Sequence, residues 1–298
     1  MMSAFTIKLI AMLSMLTDHA GYILMLAGRT RGDMYMLLRS IGRPAFVLFA
    51  FLIVNGCEKT SDMKRYLSRL VIFALVSQPA YSLAFTPENY RAPLFSAAPT
   101  AELMSVSPAA AALVAFVVLV YLWCVCAWRV DASLLWLCAA LILPYVQLEA
   151  FGLVILGDGL NVFYTLGVSL ALIGALLKGL STGGAYKDVR RWAVLLAAVA
   201  AAALVHARAD YGLFGVALIL GLYLTRRSRA AQAAVMLLWC FAEYYVRMHY
   251  VQLMLFAMLA VLPVLFYSGR RGPRARGFYW IYPLHLYAFS LAGILLLR

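Results

Sequence analysis

The chain consists largely of apolar runs whose lengths are close to the about 17–25 residues with which a helix crosses a bilayer. Hydrophobic residues make up 65% of the 298 residues and charged residues 12%, whereas soluble domains contain about 45–50% and about 25%. A water-soluble fold of this length cannot cover so much apolar surface. The sequence therefore predicts an all-α fold, a polytopic integral membrane helical bundle of about 10–11 transmembrane helices. The predicted segments are residues 6–27, 34–56, 66–85, 108–128, 132–149, 160–178, 192–206, 211–225, 230–247, 250–267 and 277–297.

The apolar runs follow one another at short intervals, which predicts a single transmembrane domain over residues 1–298. The sequence shows no convincing internal repeat and no long linker. The longest interval, from about Thr86 to Pro108, contains four prolines and is expected to be a surface excursion. The first run, from Phe5 to Leu26, is long enough to span and has no small-residue cleavage site, so we expect a membrane helix rather than a cleaved signal.

The basic residues are concentrated in alternate intervals between the apolar runs, as topology signals are. The net charge is +13, but short clusters spread between apolar runs do not indicate nucleic-acid binding. The more basic intervals are expected to be cytoplasmic, which places the N-terminus inside and the C-terminus outside. They contain Lys59, Lys64, Arg65, Arg69, Arg129, Lys178, Lys187, Arg190, Arg191, Arg226, Arg227, Arg229, Arg270, Arg271, Arg274 and Arg276.

The cysteines and the common catalytic motifs do not indicate metal or covalent nucleophile chemistry. The cysteines lie in or at the ends of apolar runs, and their spacings match no metal-binding framework, so we interpret them as small packing residues and expect no metal. The sequence contains no glycine-rich phosphate loop, no His-Glu-x-x-His motif and no Gly-x-Ser-x-Gly motif. The five cysteines are Cys57, Cys124, Cys126, Cys138 and Cys240.

A few ionisable residues interrupt the apolar runs, where a charge is costly and usually functional. Asp18, His19, Arg43 and His285 all fall near the middle of their predicted helices. Neighbouring helical side chains diverge by about 100°, so Asp18 is not expected to orient His19 directly. It is expected to pair with Arg43 or Arg39 on the next helix, because neither charge is tolerated alone. A simple helix-to-helix clamp remains the alternative.

The segment around Arg43 carries a helix break. Arg39 and Arg43 are four residues apart and share a face, while Pro44 cannot donate to the carbonyl of Ser40. We therefore expect the helix to kink or open there, with Gly42 allowing a close backbone approach. Broken backbone is tolerated in a membrane where it lines a polar cavity or is covered by protein. An ordinary kink, with Arg39 reaching to the outer surface, is the alternative.

Two histidines and one helix start are further candidates. His19 can be neutral and act as a base, although membrane histidines also serve as polar contacts between helices. His285 lies at the end of an aromatic stretch and has the same two interpretations. Asn161 and Thr165, one turn apart, form either a hydrogen-bonding patch or a helix cap followed by packing.

These residues lie in sequence blocks that resemble the TraX family of pilin N-acetylases. The first two blocks are the more specific, and the blocks occur in the family's order over nearly the whole chain. Pro44 departs from the family pattern, because some members have glycine at this position. The difference affects the expected shape of the local backbone and not the match at Arg43. The blocks are the stretch from Ile7 to His19, which ends in Asp18-His19, the stretch from Ile41 to Phe51, Ser77-Gln78-Pro79-Ala80-Tyr81, Asn161-Val162-Phe163, Tyr211-Gly212 and the stretch from Tyr279 to His285.

The resemblance implies N-acetylation of the N-terminal residue of a pilin subunit by a multi-pass protein of the bacterial inner membrane, with acetyl-CoA as the donor substrate. The family is similar to a wider superfamily of transmembrane acyltransferases, in which a first-helix histidine is the expected catalytic group. This points to His19, with Asp18, Arg43 and His285 completing the catalytic set. The expected contacts of acetyl-CoA are Arg39, Asn161, Tyr164, Lys59, Lys64, Arg65, Arg226 and Arg227.

Two other functions remain open at this level. The same chemistry on a hydroxyl of a cell-surface glycan uses the same residues, and the sequence does not distinguish an amine from a hydroxyl acceptor. A transporter with a polar pathway through Asp18, His19 and Arg43 belongs to another class, but transporters often show repeated halves, and none is evident. The expected partners are therefore acetyl-CoA, a pilin subunit or another extracytoplasmic acceptor, and membrane lipid.

Overall fold

The computed structural model describes residues 1–91, 93–95, 98–124, 126, 128–157, 159–180, 189–206, 208–273 and 277–296, with the backbone alone at 178–180, 190–191 and 296. Lys187, Arg274 and Arg276 of the predicted cytoplasmic set lie outside these residues. The described chain is mainly helical, which confirms the all-α prediction. Its helices are α1 (Ala4–Leu26), α2 (Gly32–Gly42), α3 (Pro44–Lys59), α4 (Met63–Phe85), α5 (Pro108–Cys124), α6 (Ala132–Ile142), α7 (Val162–Leu180), α8 (Val189–His206), α9 (Gly212–Leu224), α10 (Arg229–Cys240), α11 (Val251–Met258), α12 (Val261–Leu265) and α13 (Phe278–Leu296).

Every predicted segment contains at least one helix, but several segments are not single uninterrupted helices. The run 34–56 is divided into α2 and α3 at Arg43, and α10 continues into a π-helical turn, Phe241–Arg247. Among the described residues, four helical stretches are long and apolar enough to cross a membrane, and six further apolar helices are shorter. The count of 10–11 membrane crossings and the orientation of the termini stay predictions. The long stretches are Ala4–Leu26, Gly32–Lys59, Met63–Phe85 and Phe278–Leu295.

The predicted helix over 132–149 is wrong in its second half. Helix α6 ends at Ile142, a 3₁₀ turn covers Leu143–Tyr145, and the chain continues as strand β2, Val146–Ala150. Pro144 explains the change, because it has no N–H to donate and moves the preceding residue away from helical backbone angles. After the proline, polar Gln147 and Glu149 alternate with apolar residues, and this period of two is typical of a strand.

Strand β2 is the middle strand of a small antiparallel sheet that the sequence did not predict. Its neighbours are β1, Thr100–Leu103, and β3, Leu153–Leu156. Phe151 and Gly152 link β2 to β3, and both have positive φ angles, 57° and 74°. Two such residues make the tight hairpin turn that matches the twist of the flanking strands. The expected surface excursion after Thr86 therefore contains strand β1.

The described chain forms two compact units. Unit 1 consists of Met1–Glu58, Leu83–Leu94 and Ala217–Arg298, and unit 2 of Lys59–Ser82 and Phe95–Val216. In unit 1, α1 packs against α2 and α13, and α2 packs against α11. In unit 2, α8 packs against α5 and α7, and α5, α6 and α8 share a buried apolar cluster of Val117, Val120, Leu141, Ala197 and Ala200. The single-domain organisation over residues 1–298 stays a prediction.

Candidate functional site

Unit 1 brings together the ionisable residues that the sequence singled out. Helix α1 contributes Asp18 and His19, the end of α2 contributes Arg39, and α13 contributes His285. Arg43 lies between α2 and α3. Two pairings result: Asp18 with the arginines, and His19 with His285. Residues far apart in the sequence therefore form one polar cluster within unit 1.

Asp18 pairs with both arginines rather than with one of them. Its Oδ2 accepts a hydrogen bond of 2.7 Å from Nη1 of Arg39, and its Oδ1 accepts one from Nη2 of Arg43. Arg43 also donates from Nε to the carbonyl oxygen of Arg39, 3.0 Å away. The Arg39 side chain is 21% exposed and its charge is directed to Asp18. Two guanidinium groups share one carboxylate, so these three side chains carry one excess positive charge.

The break between α2 and α3 allows this pairing. The N–H of Arg43 donates to the carbonyl of Ser40, 3.1 Å away, and Pro44 then starts α3. A Cβ atom on Gly42 would lie 2.2 Å from Cβ of Asp18, closer than two carbon atoms can approach. The backbone of α2 therefore packs directly on the Asp18 side chain, as helices do in membranes where one contributes a small residue. The expected close approach at Gly42 is confirmed.

Replacing Gly42 with alanine is expected to destabilise the protein by about 1–3 kcal/mol, the usual cost of overpacking a filled site. The added methyl group must displace α1 from α2, which also weakens the contacts between Asp18 and the arginines. Thermal unfolding in detergent measures the loss.

Gly167→Ala is the matched control for this substitution. Gly167 lies within α7, and a Cβ atom there meets nothing within 4 Å, so the alanine is expected to leave stability unchanged or to raise it. Equal melting temperatures for the two variants would contradict the close packing of Gly42 on Asp18.

His19 and His285 form a hydrogen-bonded pair whose protonation pattern follows from one carbonyl group. Nδ1 of His285 lies 2.7 Å from the carbonyl oxygen of Ile281, which can only accept, so Nδ1 carries the proton. Nε2 of a neutral His285 then accepts from Nδ1 of His19, 2.7 Å away. A neutral His19 consequently keeps an unprotonated Nε2, with its lone pair available to take a proton. The pair fixes the tautomer and ring orientation that a general base needs.

Aromatic rings surround the histidine pair. The His19 ring is 5.1 Å from Phe85 and 6.0 Å from Tyr282 in edge-on arrangements, and Phe289 contacts His285 in the same way at 5.6 Å. The Tyr22 ring lies 5.2 Å from the guanidinium carbon of Arg39. Aromatic rings therefore pack against both imidazoles and against the Arg39 guanidinium group.

The predicted basic contacts of acetyl-CoA fall in different units, and several have carboxylate partners. In unit 2, Nζ of Lys64 is 2.6 Å from Asp131, and Arg65 is 3.8 Å from Asp62. Hydrogen bonds from Lys64 and from Ser133 hold the pKa of the Asp131 carboxyl well below its usual range. In unit 1, Arg226 is 3.5 Å from Glu58 and Arg227 is exposed. Lys59, the first residue of unit 2, is exposed as well. The role of all five residues in binding acetyl-CoA stays a prediction.

Asn161 caps α7 and does not form a patch with Thr165. Its Oδ1 accepts from the N–H of Phe163 at 3.1 Å, and its Nδ2 donates to Oε1 of Gln78 at 2.9 Å. The Thr165 hydroxyl donates to the carbonyl of Asp210 instead. Tyr164 is buried, and its hydroxyl has no hydrogen-bond partner among the described residues. The geometry therefore favours the capping alternative for Asn161, and acetyl-CoA binding by Asn161 and Tyr164 stays a prediction.

Two buried polar residues of the π-helical turn were not among the residues predicted from the sequence. Glu243 is fully buried and accepts a 2.8 Å hydrogen bond from Nε of Arg247. Tyr244, also fully buried, has its ring 5.9 Å from the guanidinium carbon of Arg43. Glu243 had a usable signal, since it is an acidic residue inside the apolar run 230–247. Among the described residues, no three His, Cys, Asp or Glu side chains are grouped to hold a metal ion.

Comparison with known proteins places the chain in a family. The family model described as "TraX protein" matches residues 3–152 and 150–293. A relative from Dichelobacter nodosus, described as "Probable fimbrial assembly protein FimC, serogroup H1", is 36% identical over 80 residues, which is 27% of this chain and 32% of the relative. The match thus spans about a third of the relative's length. No solved structure matches the chain. Because the family model covers nearly the whole sequence, the chain belongs to the TraX protein family.

Proposed function

We propose that this protein is a membrane-embedded acetyltransferase that moves an acetyl group from cytoplasmic acetyl-CoA to the N-terminal amine of a pilin subunit. The observation that carries the proposal is the His19–His285 pair, which leaves an unprotonated Nε2 on His19 within a cluster that has an excess positive charge. Membership of the TraX family supports it. A relative's description as a fimbrial assembly protein supports a pilin acceptor.

His19 acts as the general base in the proposed reaction. An α-amine has a reference pKa near 8, so part of it is already neutral near pH 7. The amine nitrogen attacks the thioester carbonyl carbon and forms the C–N bond, while the carbonyl π electrons move to the oxygen. His19 Nε2 takes the proton that the nitrogen loses. When the C–S bond breaks, the sulfur leaves with its bonding electrons and takes this proton, which yields an amide and free CoA.

The paired arginines stabilise the negative charge that develops on the acyl oxygen. A positive charge in a site that excludes water stabilises an oxyanion far more than it would in solution. Arg39 and Arg43 together carry one charge more than Asp18 neutralises. Asp18 holds both guanidinium groups in place, and His285 orients His19. This division of roles gives each of the four predicted catalytic residues a defined task.

The acceptor class is tested with the purified protein in liposomes and three acceptors. We expect free CoA to form with a pilin-derived peptide that has a free N-terminal amine, and the peptide to gain one acetyl group by mass spectrometry. The same peptide with a blocked N-terminus is the matched control and is expected to be inactive. Acetylation of a glycan hydroxyl instead would change the acceptor from amine to sugar. If the folded protein neither binds nor consumes acetyl-CoA, the acetyltransferase proposal is rejected.

A further inference from the structure

Tyr244 combines complete burial with an unsatisfied hydroxyl group. The residue is 0% exposed, and its hydroxyl has no hydrogen-bond partner among the described residues. A buried polar group without a partner costs about 1–3 kcal/mol. Phenylalanine would make the same ring contacts without this cost. Packing therefore does not explain why the ring carries a hydroxyl group at this position.

The Tyr244 ring lies beside the excess positive charge of the polar cluster. Its centroid is 5.9 Å from the guanidinium carbon of Arg43, which shares Asp18 with Arg39. Trp239 packs edge-on against the same ring, with 5.9 Å between the ring centroids. The remaining charges of this turn, Glu243 and Arg247, neutralise each other. The net formal charge of the side chains around Tyr244 therefore stays at +1.

The backbone at Tyr244 is itself unusual. Residues Phe241–Arg247 form a π-helical turn that continues α10. Single π turns within α-helices are rare, and they occur frequently at functional sites because the widened turn changes the direction of a side chain. Backbone shape, an unsatisfied hydroxyl and an adjacent excess charge are separate observations, and all three concern the same side chain.

We propose that Tyr244 donates a hydrogen bond from its hydroxyl to the acyl oxygen of the bound thioester, next to Arg43. This inference rests on the proposed acetyltransferase function and adds a catalytic residue to it. As the acceptor attacks, negative charge builds on that oxygen, and the hydrogen bond strengthens because the acceptor atom becomes charged. Tyr244 keeps its proton throughout, so the proton balance of the reaction is unchanged.

Tyr244→Phe tests the proposal, because it removes only the oxygen atom. Loss of one donor to a developing oxyanion lowers kcat by about 10²–10³-fold, and we expect that loss with KM for acetyl-CoA unchanged. The melting temperature is expected to stay the same or rise, because an unsatisfied buried hydroxyl disappears. Tyr245→Phe is the matched control, since Tyr245 lies in the same turn but is exposed; its turnover should equal that of the wild type.

Any other outcome for Tyr244→Phe would contradict the proposal, and the kinetic constants and the melting temperature distinguish these outcomes from one another. A raised KM with unchanged kcat would mean that the hydroxyl binds a ground-state anion, such as a phosphate of acetyl-CoA, and not the acyl oxygen. A lower melting temperature would assign the hydroxyl a structural role. Wild-type turnover in Tyr244→Phe would remove Tyr244 from the mechanism and leave the acetyltransferase function intact. An inactive wild type would reject the function and this inference together.

Discussion

His19→Ala is expected to lower kcat/KM for acetyl transfer by about 10²–10⁴-fold, the contribution of a positioned general base. The imidazole Nε2 is the proposed proton acceptor, and its lone pair depends on the hydrogen bond from Nδ1 to His285. Acetylation of a pilin-derived peptide, followed by mass spectrometry, measures the loss. His249→Asn is the control, because His249 is exposed and has a φ of 60°, which asparagine tolerates.

Variants of His285 separate catalysis from orientation. In His285→Phe, Nδ1 of His19 loses its acceptor, so the imidazole can rotate or change tautomer and the rate should fall. In His285→Gln, the amide oxygen can still accept from His19, so we expect a higher rate than in the phenylalanine variant. The pH dependence of kcat/KM should shift in His285→Phe, which a purely structural role would not produce. Equal rates in His19→Ala and the wild type would disprove the base assignment.

Asp18→Asn is expected to cause the largest loss of stability, about 3–5 kcal/mol, the usual result of removing one partner from a buried ion pair. The substitution leaves two guanidinium groups, Arg39 and Arg43, without a compensating charge. Arg39→Met should cost less, because Asp18 and Arg43 remain as a balanced pair. Thermal unfolding of the detergent-solubilised protein measures both effects.

The double variant Asp18→Asn/Arg39→Met provides the control for charge. It leaves one unpaired guanidinium instead of two, so we expect it to be more stable than Asp18→Asn alone. Two outcomes would show that Asp18 does not hold the arginines by charge pairing. One is an equal melting temperature for Asp18→Asn and the wild type, and the other is a lower melting temperature for the double variant than for Asp18→Asn. If Asp18 positions Arg43 at the oxyanion, acetyl transfer should also be lost in Asp18→Asn.

The sequence predicted much of the fold because hydropathy is a local property. Apolar runs of the right length mark the helices without any knowledge of their neighbours, and the break at Pro44 follows from its missing N–H. The prediction failed at Val146–Ala150, where the length of the apolar run suggested a helix although Pro144 and the alternation of Gln147 and Glu149 with apolar residues favour a strand. The strand forms there because β1 and β3 are available as partners, which the local pattern does not show.

The candidate site was predictable as a set of residues and not as an arrangement. An ionisable group in an apolar run is costly in any fold, so Asp18, His19, Arg43 and His285 stand out by themselves. Tyr244 did not stand out, because a tyrosine in such a run is ordinary and its significance depends on a buried, unsatisfied hydroxyl on a ring that lies 5.9 Å from the guanidinium carbon of Arg43.

The sequence by itself determined that this chain forms apolar helices carrying a costly charged cluster. Only the tertiary structure decided that Asp18 pairs with two arginines and that His19 meets His285, 266 residues away. The physical reason is that the free-energy cost of burying an ionisable side chain depends on its residue type. Which side chain it pairs with depends on how each helix is rotated about its axis and on how closely two helices approach. At Gly42 that approach is set by the absence of a single Cβ atom.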